Sequence, residues 1–480
     1  MSVNRRTALV TFLALVAGFT LIVVYQHRWS GEAFSAFYCG GEAVAHGANP
    51  YRIEPLRSCE HRVAPQTNPP DVVEPAPLPG YALVAFAALA RLPYRPAALV
   101  FVAASLASVA IAAVALSELT GLPLVAPLGA LLVVDGFVNV SYGEIPPLAI
   151  AALCVAGVYA ARGRDRLAAL AASAAMIEPH LGLAACLSLI LWRPRARIVL
   201  AGAAILFGAL WIVFLSLPNL PEYFTQVIPL QSRAEVPAAD QYSLTWLAHL
   251  AGADDVLASQ LGSLSYIALL FFGVLAAPRV ARKLHAPALL VFFPVAATTL
   301  FGVFIHDLQL PAAVPAALVI AVALGASGRG VWFAMVVVSL EWVTWWETDR
   351  VVVVLSIFSV AAIAWAAMRE RAPRERVTLA CLAPIAYLLV LAVYVHLPHT
   401  AILTGAEPWP SRAALVPSAQ AALNWGALIR GSSEASGATV QLLIGKLIVW
   451  AALASVLVQG IRTSRISRPP APSRLAASLR

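Results

Sequence analysis

Apolar runs of about twenty residues recur along the whole chain, and each is long enough to cross a hydrocarbon layer ~30 Å thick. A segment in lipid must satisfy its backbone hydrogen bonds internally, so these runs are helices in a membrane. Full spans fit near 7–25, 79–92, 97–117, 146–161, 198–216, 261–278, 286–304, 309–325, 331–346, 351–368, 377–397 and 438–460. Hydrophobic residues make up 61% and charged residues 12% of the chain, against roughly 45–50% and about 25% in globular proteins. A soluble protein of this composition lacks the polar groups to cover its surface. The same figures exclude collagen, disorder, coiled coil and a small disulfide scaffold. The fold class is therefore all-α integral membrane: a polytopic helical bundle with about 12 spans and loops on its outer face.

Two further apolar stretches, 121–135 and 167–192, fit poorly as single crossings. The second is interrupted by Glu178-Pro179-His180 and bounded by arginines. Each arm is about eleven residues, or ~16 Å of helix, half a bilayer. It reads as a pair of re-entrant half-helices, which lipid tolerates only where protein or a water-filled cavity surrounds the break.

Charge sets the orientation. With the N-terminus inside, the short loops on that side hold 23 of the 32 Lys and Arg, and the long loops opposite hold eight. This asymmetry predicts cytoplasmic N- and C-termini in a plasma (inner) membrane. The short basic start followed by 7–25 reads as an uncleaved signal anchor. The expected organisation is an anchor span over 1–25, a first extracytoplasmic loop over 26–78, a transmembrane core over 79–325, C-terminal transmembrane helices over 326–460, and a basic cytoplasmic tail over 461–480 resting on anionic lipid. The net charge of +8 reflects this bias, and no nucleic-acid partner is expected. No P-loop or G-x-G-x-x-G is present, so ATP-driven transport by this chain alone is not indicated.

Of five cysteines, Cys154, Cys186 and Cys381 sit in apolar runs and read as core residues. Cys39 and Cys59 share the first outer loop, either as a disulfide or as two free thiols. No spacing suggests a metal site, and no cofactor is expected.

Ionisable residues at membrane depth are costly, so each is a candidate for function. They are Asp135, Glu144, Glu178, His180, His306, Asp307, Glu341 and Lys446. Glu341, beside Trp342, Trp345 and Trp346, fits an interfacial aromatic belt, and Lys446 fits a structural pairing. In the first outer loop, residues 33–46 read as a helix on the membrane surface, with Phe34, Phe37, Tyr38 and Val44 on its apolar side and Gly47 and Pro50 ending it.

This loop, from Trp29 to Tyr51, resembles the D-F-x-x-Y/F-Y/W-x-A…G-x-x-P-Y signature of glycosyltransferase family 87, polyprenol-phosphate-dependent mannosyltransferases of GT-C fold. Further blocks follow in the same order. Glu74-Pro75-Ala76-Pro77-Leu78 to Arg91-Leu92-Pro93-Tyr94 resembles Y-P-P…L-P, and Gly143-Glu144 resembles Gly-Gln. Ile177-Glu178-Pro179-His180-Leu181-Gly182-Leu183 resembles I-K-P-x-L-G-L, and His306-Asp307-Leu308 resembles Y-D-L. The blocks run from about residue 30 to 325. The departures are in charge: Ala33 stands where the family has its Asp, with Glu32 one residue earlier, and Glu144 and Glu178 replace Gln and Lys.

The resemblance implies transfer of a mannose-like sugar from a polyprenyl-phosphate donor to a lipid-linked or cell-envelope glycan acceptor on the extracytoplasmic face. Such a transfer needs a base for the acceptor hydroxyl, negative charge near an oxocarbenium-like centre, and cations or N–H donors for the phosphate. Glu32 ranks first as base, then Asp307 with His306. Glu144, Glu178, His180, Arg52 and Tyr242 are the candidate substrate-binding residues. Arg28, Arg57, Arg62 and Arg233 are further phosphate candidates, and Trp246 is a candidate sugar-stacking ring. A transporter or flippase, and a non-catalytic relative, are the alternative readings.

Overall fold

The computed structural model describes residues 31–65, 71–215, 219–340, 350–397, 400, 408–436 and 439–462. The expected span 7–25, Arg28, Trp29, Glu341 with its tryptophans, and the tail from 463 onward lie outside the described residues.

The described residues are almost entirely helical, with two isolated β-bridges. In chain order the helices are α1 (Glu32–Ala45), α2 (Ile53–Val63), α3 (Gly80–Leu89), α4 (Tyr94–Thr120), α5 (Val125–Leu132), α6 (Asn139–Tyr142), α7 (Pro146–Ala161), α8 (Asp165–Ala174), α9 (Pro179–Trp192), α10 (Arg197–Leu215), α11 (Ile228–Ala234), α12 (Leu244–Leu250), α13 (Asp255–Lys283), α14 (Leu289–Thr298), α15 (Val314–Leu324), α16 (Arg329–Ser339), α17 (Arg350–Ala367), α18 (Pro373–Tyr394), α19 (Ala421–Ser436) and α20 (Val440–Arg462). Six of the described helical segments are long and apolar enough to cross a membrane, or seven if the bent pair α5–α6 is one span. The all-α polytopic fold is thus as expected. Several expected spans, however, are helices of only 10–17 residues.

Contacts at the helix ends sort the connections onto two faces. Arg193 pairs with Asp165 at 3.5 Å, so α8 and α9 leave and return to one face as a hairpin. Glu118 and Arg162 pair at 2.5 Å on that same face, where Lys283 also donates to the Ile461 carbonyl. The opposite face carries α1–α3, α11, α12 and α19. The 167–192 stretch is therefore re-entrant: a 3₁₀ turn over Ala175–Ile177 and Pro179 at the first position of α9 break it at Glu178. A proline there lacks the N–H that a continuous helix would need, and it starts the second arm without loss.

The Glu118–Arg162 pair also corrects the expected topology. If 79–92 were a crossing, Arg91 and Arg162 would share a face, and Glu118 would lie opposite Arg162. Instead Tyr38 donates to the Leu92 carbonyl at 2.9 Å, and Phe34 packs on Tyr94 at 5.7 Å. The turn after α3 thus stays on the loop face, and α3 does not cross. The compensating crossing is α5–α6, bent by 64° at a π turn over Val134–Val138. The expected grouping of Arg91 and Arg95 with the short loops falls with it. That group shrinks from 23 to 21, and the asymmetry survives.

Helix α1 is not a surface helix. Ten of its first eleven residues after Glu32 are buried, because α2, α3 and α4 cover it. Gly41 makes this possible: a Cβ there would collide with the α3 backbone at Phe86 and Ala87. Phe37 packs on Phe86 at 5.2 Å and Phe34 on Phe101 at 4.8 Å. Burial of each such ring contributes ~1.5–3 kcal/mol. Cys39 and Cys59 form a disulfide that ties α1 to α2.

Candidate active site

Two segments of irregular chain meet on the loop face. Residues 240–242 run antiparallel to 305–307: Asp307 N–H donates to the Asp240 carbonyl at 3.0 Å, and Tyr242 N–H to the Ile305 carbonyl at 2.6 Å. The short ladder turns His306 toward two acids. Its Nδ1 lies 3.0 Å from Asp240 Oδ2, and its Nε2 lies 3.2 Å from Glu235 Oε2. Burial disfavours the imidazolium, yet the adjacent Asp240 and Glu235 outweigh it and hold His306 well above the usual histidine range. Burial likewise works against the Asp240 carboxylate, but His306 and then Lys446 keep it below the ordinary aspartate value. Asp240 keeps 48% of its side chain exposed.

Further acids converge on this pair. Asp307 is 1% exposed. One of its oxygens accepts the Leu308 N–H at 2.7 Å, and Oδ2 accepts nothing. Glu178, at the apex of the α8–α9 hairpin, accepts from Gln309 at 3.2 Å and lies 3.1 Å from His180 Nε2; its Oε2 has no partner. Glu144 follows Gly143, whose φ of 78° ends α6. A side chain at Gly143 would meet Phe34 Cβ at 2.5 Å, so this glycine lets α1 close over the turn. Burial, then the neighbouring Glu178, pushes Glu144 up to about 8.

Glu32 opens α1, half-buried, and burial raises its carboxyl above the usual range. Gly31 N–H donates to the Ser141 carbonyl at 3.2 Å, seating this helix start beside α6. Tyr142 lies within electrostatic range of both Glu32 and Asp307. Glu74 is held well above the ordinary value by burial and by Glu60, Glu144, Glu32 and Glu235. Glu60 accepts the Glu74 N–H at 3.0 Å, and burial pushes it up to about 8.

The remaining expected residues sit elsewhere or act differently. Arg52 is bound to Glu222 and to the Ser418 carbonyl. Arg57 and Arg62 pair with Glu54 and Glu42. Arg233 stands 5.9 Å from the Trp409 ring. Tyr242 and Trp246 are buried, with Lys446 Nζ 4.4 and 4.3 Å from their ring centroids. Lys446 donates to the Gln241 carbonyl, so the expected structural pairing is made with a carbonyl and two rings. Glu74 and Glu235 were not singled out from the sequence. Each is an acid one or two residues before a proline (Glu74-Pro75, Glu235-Val236-Pro237), which was the available signal. Among the described residues, no group of three His, Cys, Asp or Glu is placed to hold a metal ion.

Residues 79–306 match the family model of glycosyltransferase family 87. That segment, just under half of the chain, is similar to the family. No curated protein and no solved structure matches the chain. The segment that matches family 87 contains the bent span, the re-entrant hairpin, Glu144, Glu178, His180, Glu235, Asp240 and His306, and the match supports a membrane glycosyltransferase. Glu32, Glu74, Asp307 and Lys446 fall outside the matched segment and come to the site through the fold.

Proposed function

We propose that the protein transfers a mannose-like sugar from a polyprenyl phosphate to a lipid-linked or cell-envelope acceptor on the extracytoplasmic face of the plasma membrane. The observation that carries this reading is the acid cluster on the loop face of a core that matches family 87, built from Glu144, Glu235, Asp240 and His306. The acceptor oxygen attacks the anomeric carbon, the bond from that carbon to the phosphate oxygen breaks, and the phosphate leaves with the electron pair. The acceptor proton passes to a carboxylate. Glu32 is the proposed base, since it is part-accessible and coupled through Tyr142 and Glu74 to the rest. The Asp240 carboxylate, beside Asp307 and His306, supplies negative charge to the oxocarbenium-like transition state. The phosphate requires cations outside the acid cluster. Arg91 and Arg95, exposed on the loop face beside Tyr94, are suited to that, because Tyr94 in turn lies within electrostatic range of Glu74.

Sealed vesicles carrying the protein, supplied with radiolabelled polyprenyl-phosphate mannose and native lipid extract, should yield labelled lipid or glycan. No labelled product from this or other polyprenyl-phosphate hexoses would overturn the reading. Glu32→Gln should lower the rate by ~100-fold or more. Full activity in that variant would move the base to Asp307.

A further inference from the structure

His306 takes both of its acids, Glu235 and Asp240, from one short segment, and the C-terminal part of the chain holds that segment at each end. At the far end, Lys446 donates to the Gln241 carbonyl, and Trp450 Nε1 donates to the Tyr242 carbonyl at 2.9 Å. At the near end, the Arg430 guanidinium donates to the Arg233 and Ala234 carbonyls at 3.1 and 3.2 Å. These close α11. The last carbonyls of a helix lack their usual N–H partners, and a cation beside them suits the negative end of the helix dipole. Arg430 is itself fixed from two sides. Its guanidinium lies 3.9 Å from the centre of the Trp409 ring, and it pairs with the buried Asp255. Gly426 leaves room for that ring, since a Cβ there would stand 2.4 Å from it. The planar fork of an arginine can serve a carboxylate and backbone carbonyls together.

The residue that follows α11 is Glu235. Gln231 Nε2 donates to its Oε1 at 2.5 Å, Gln241 Nε2 donates to its carbonyl at 2.8 Å, and its Oε2 lies 3.2 Å from His306 Nε2. We infer that Arg430 is a positioning residue of this site: by fixing the end of α11 it holds the Glu235 carboxylate on His306. It acts through Glu235 and not on a substrate. The inference deepens the transferase reading above, because the site is the same, and it brings in a residue from outside the segment that matches family 87.

The charged groups around His306 are Asp240 and Glu235 in contact, with Asp307 and Glu144 in electrostatic range. The test is the titration of His306 in the full chain in lipid nanodiscs, followed by NMR of histidine labelled at Cε1 and assigned with His306→Asn. An anion beside an imidazole favours its charged form, so moving Glu235 away lowers the midpoint. Folded Arg430→Ala protein should therefore titrate lower by about 1 pH unit or more. Loss of a cation that acted directly through space would raise the midpoint, so a rise, or no change, overturns the inference. Glu235→Gln should lower the midpoint by itself, and Arg430→Ala added to it should lower it no further. A second fall of the same size would mean that Arg430 acts by another route, which also overturns the inference. If Arg430→Ala does not fold, Arg430→Lys decides, since it keeps a cation for Asp255 without the fork that spans the two carbonyls. A lowered midpoint in Arg430→Lys upholds the positioning role, and the wild-type midpoint overturns it. None of these titrations needs a sugar donor. An unmoved midpoint in a protein that transfers sugar sinks this inference alone. A lowered midpoint in a protein inactive with every polyprenyl-phosphate hexose sinks the transferase reading alone.

Discussion

His306 Nδ1 stands 3.0 Å from Asp240 Oδ2, across 66 residues of sequence. The contact exists because the 240–242 and 305–307 segments pair through backbone hydrogen bonds before either side chain is considered. The second ring nitrogen reaches Glu235, so one imidazole holds two acids on the loop face. That arrangement fixes the charge of the site, and its consequences are measurable.

The pair should stabilise the fold over a defined pH window. His306 is raised in the folded protein from an ordinary value of 6.5, so its contribution is complete below 6.5 and is lost as pH rises through the raised value. Asp240 is lowered from 3.8, so its contribution is complete above 3.8 and is lost as pH falls through the depressed value. Thermal melting in nanodiscs from acid to alkaline pH should show both limbs. His306→Asn should flatten the alkaline one, and an unchanged alkaline limb would remove His306 from this role.

Glu144 is expected to work in its protonated form. Its carboxyl is pushed up to about 8 from an unfolded value of 4.5, so the folded state holds a proton that the unfolded state releases. Stability therefore falls as pH climbs between those values. Transfer activity should also decline above pH 8 as the proton leaves. Glu144→Gln, which keeps a hydrogen-bond donor without the titration, should retain activity within about threefold at neutral pH and lose the alkaline decline. A Glu144→Gln protein with an unaltered pH–rate profile would assign that limb to another group.

The membrane class and the break at Glu178 were legible in the sequence because each has a strong local cause. Apolar length defines a span, and Pro179 between two short arms defines a hairpin. The convergence of Glu74, Glu144, Glu235 and Asp240 was not legible, since it depends on how distant loops pair. Glu32 was legible only as a carboxylate near the start of α1. The surface location expected for α1 was overturned because amphipathicity does not reveal that neighbours cover both faces. Here Gly41 and Gly143 were the clue, each marking a place where another chain segment comes within contact distance.

The Cys39–Cys59 disulfide should be visible as a count. Denatured, unreduced protein should take up polyethylene-glycol maleimide at three cysteines, Cys154, Cys186 and Cys381, and at all five only after reduction. Because the bond closes a loop of 20 residues in sequence, its loss in Cys59→Ser should lower stability by about 2–4 kcal/mol. Labelling at five sites before reduction would show the thiols free.

The exchange of α3 for α5–α6 as a crossing can be tested by accessibility. Single cysteines at Arg57, Arg95 and Arg164 are placed in protein whose Cys154, Cys186 and Cys381 are replaced, with the Cys39–Cys59 bond kept. If α3 crossed, position 95 would share a side with position 164. The Glu118–Arg162 pair and the Tyr38 bond to the Leu92 carbonyl require the reverse. In sealed vesicles, an impermeant maleimide should therefore treat Arg95→Cys like Arg57→Cys, and label Arg164→Cys only from the other side. This result also decides whether Arg91 and Arg95 are available to a phosphate on the face where the acids gather. Labelling of Arg95→Cys together with Arg164→Cys would return both arginines to the far side and remove them from the donor site.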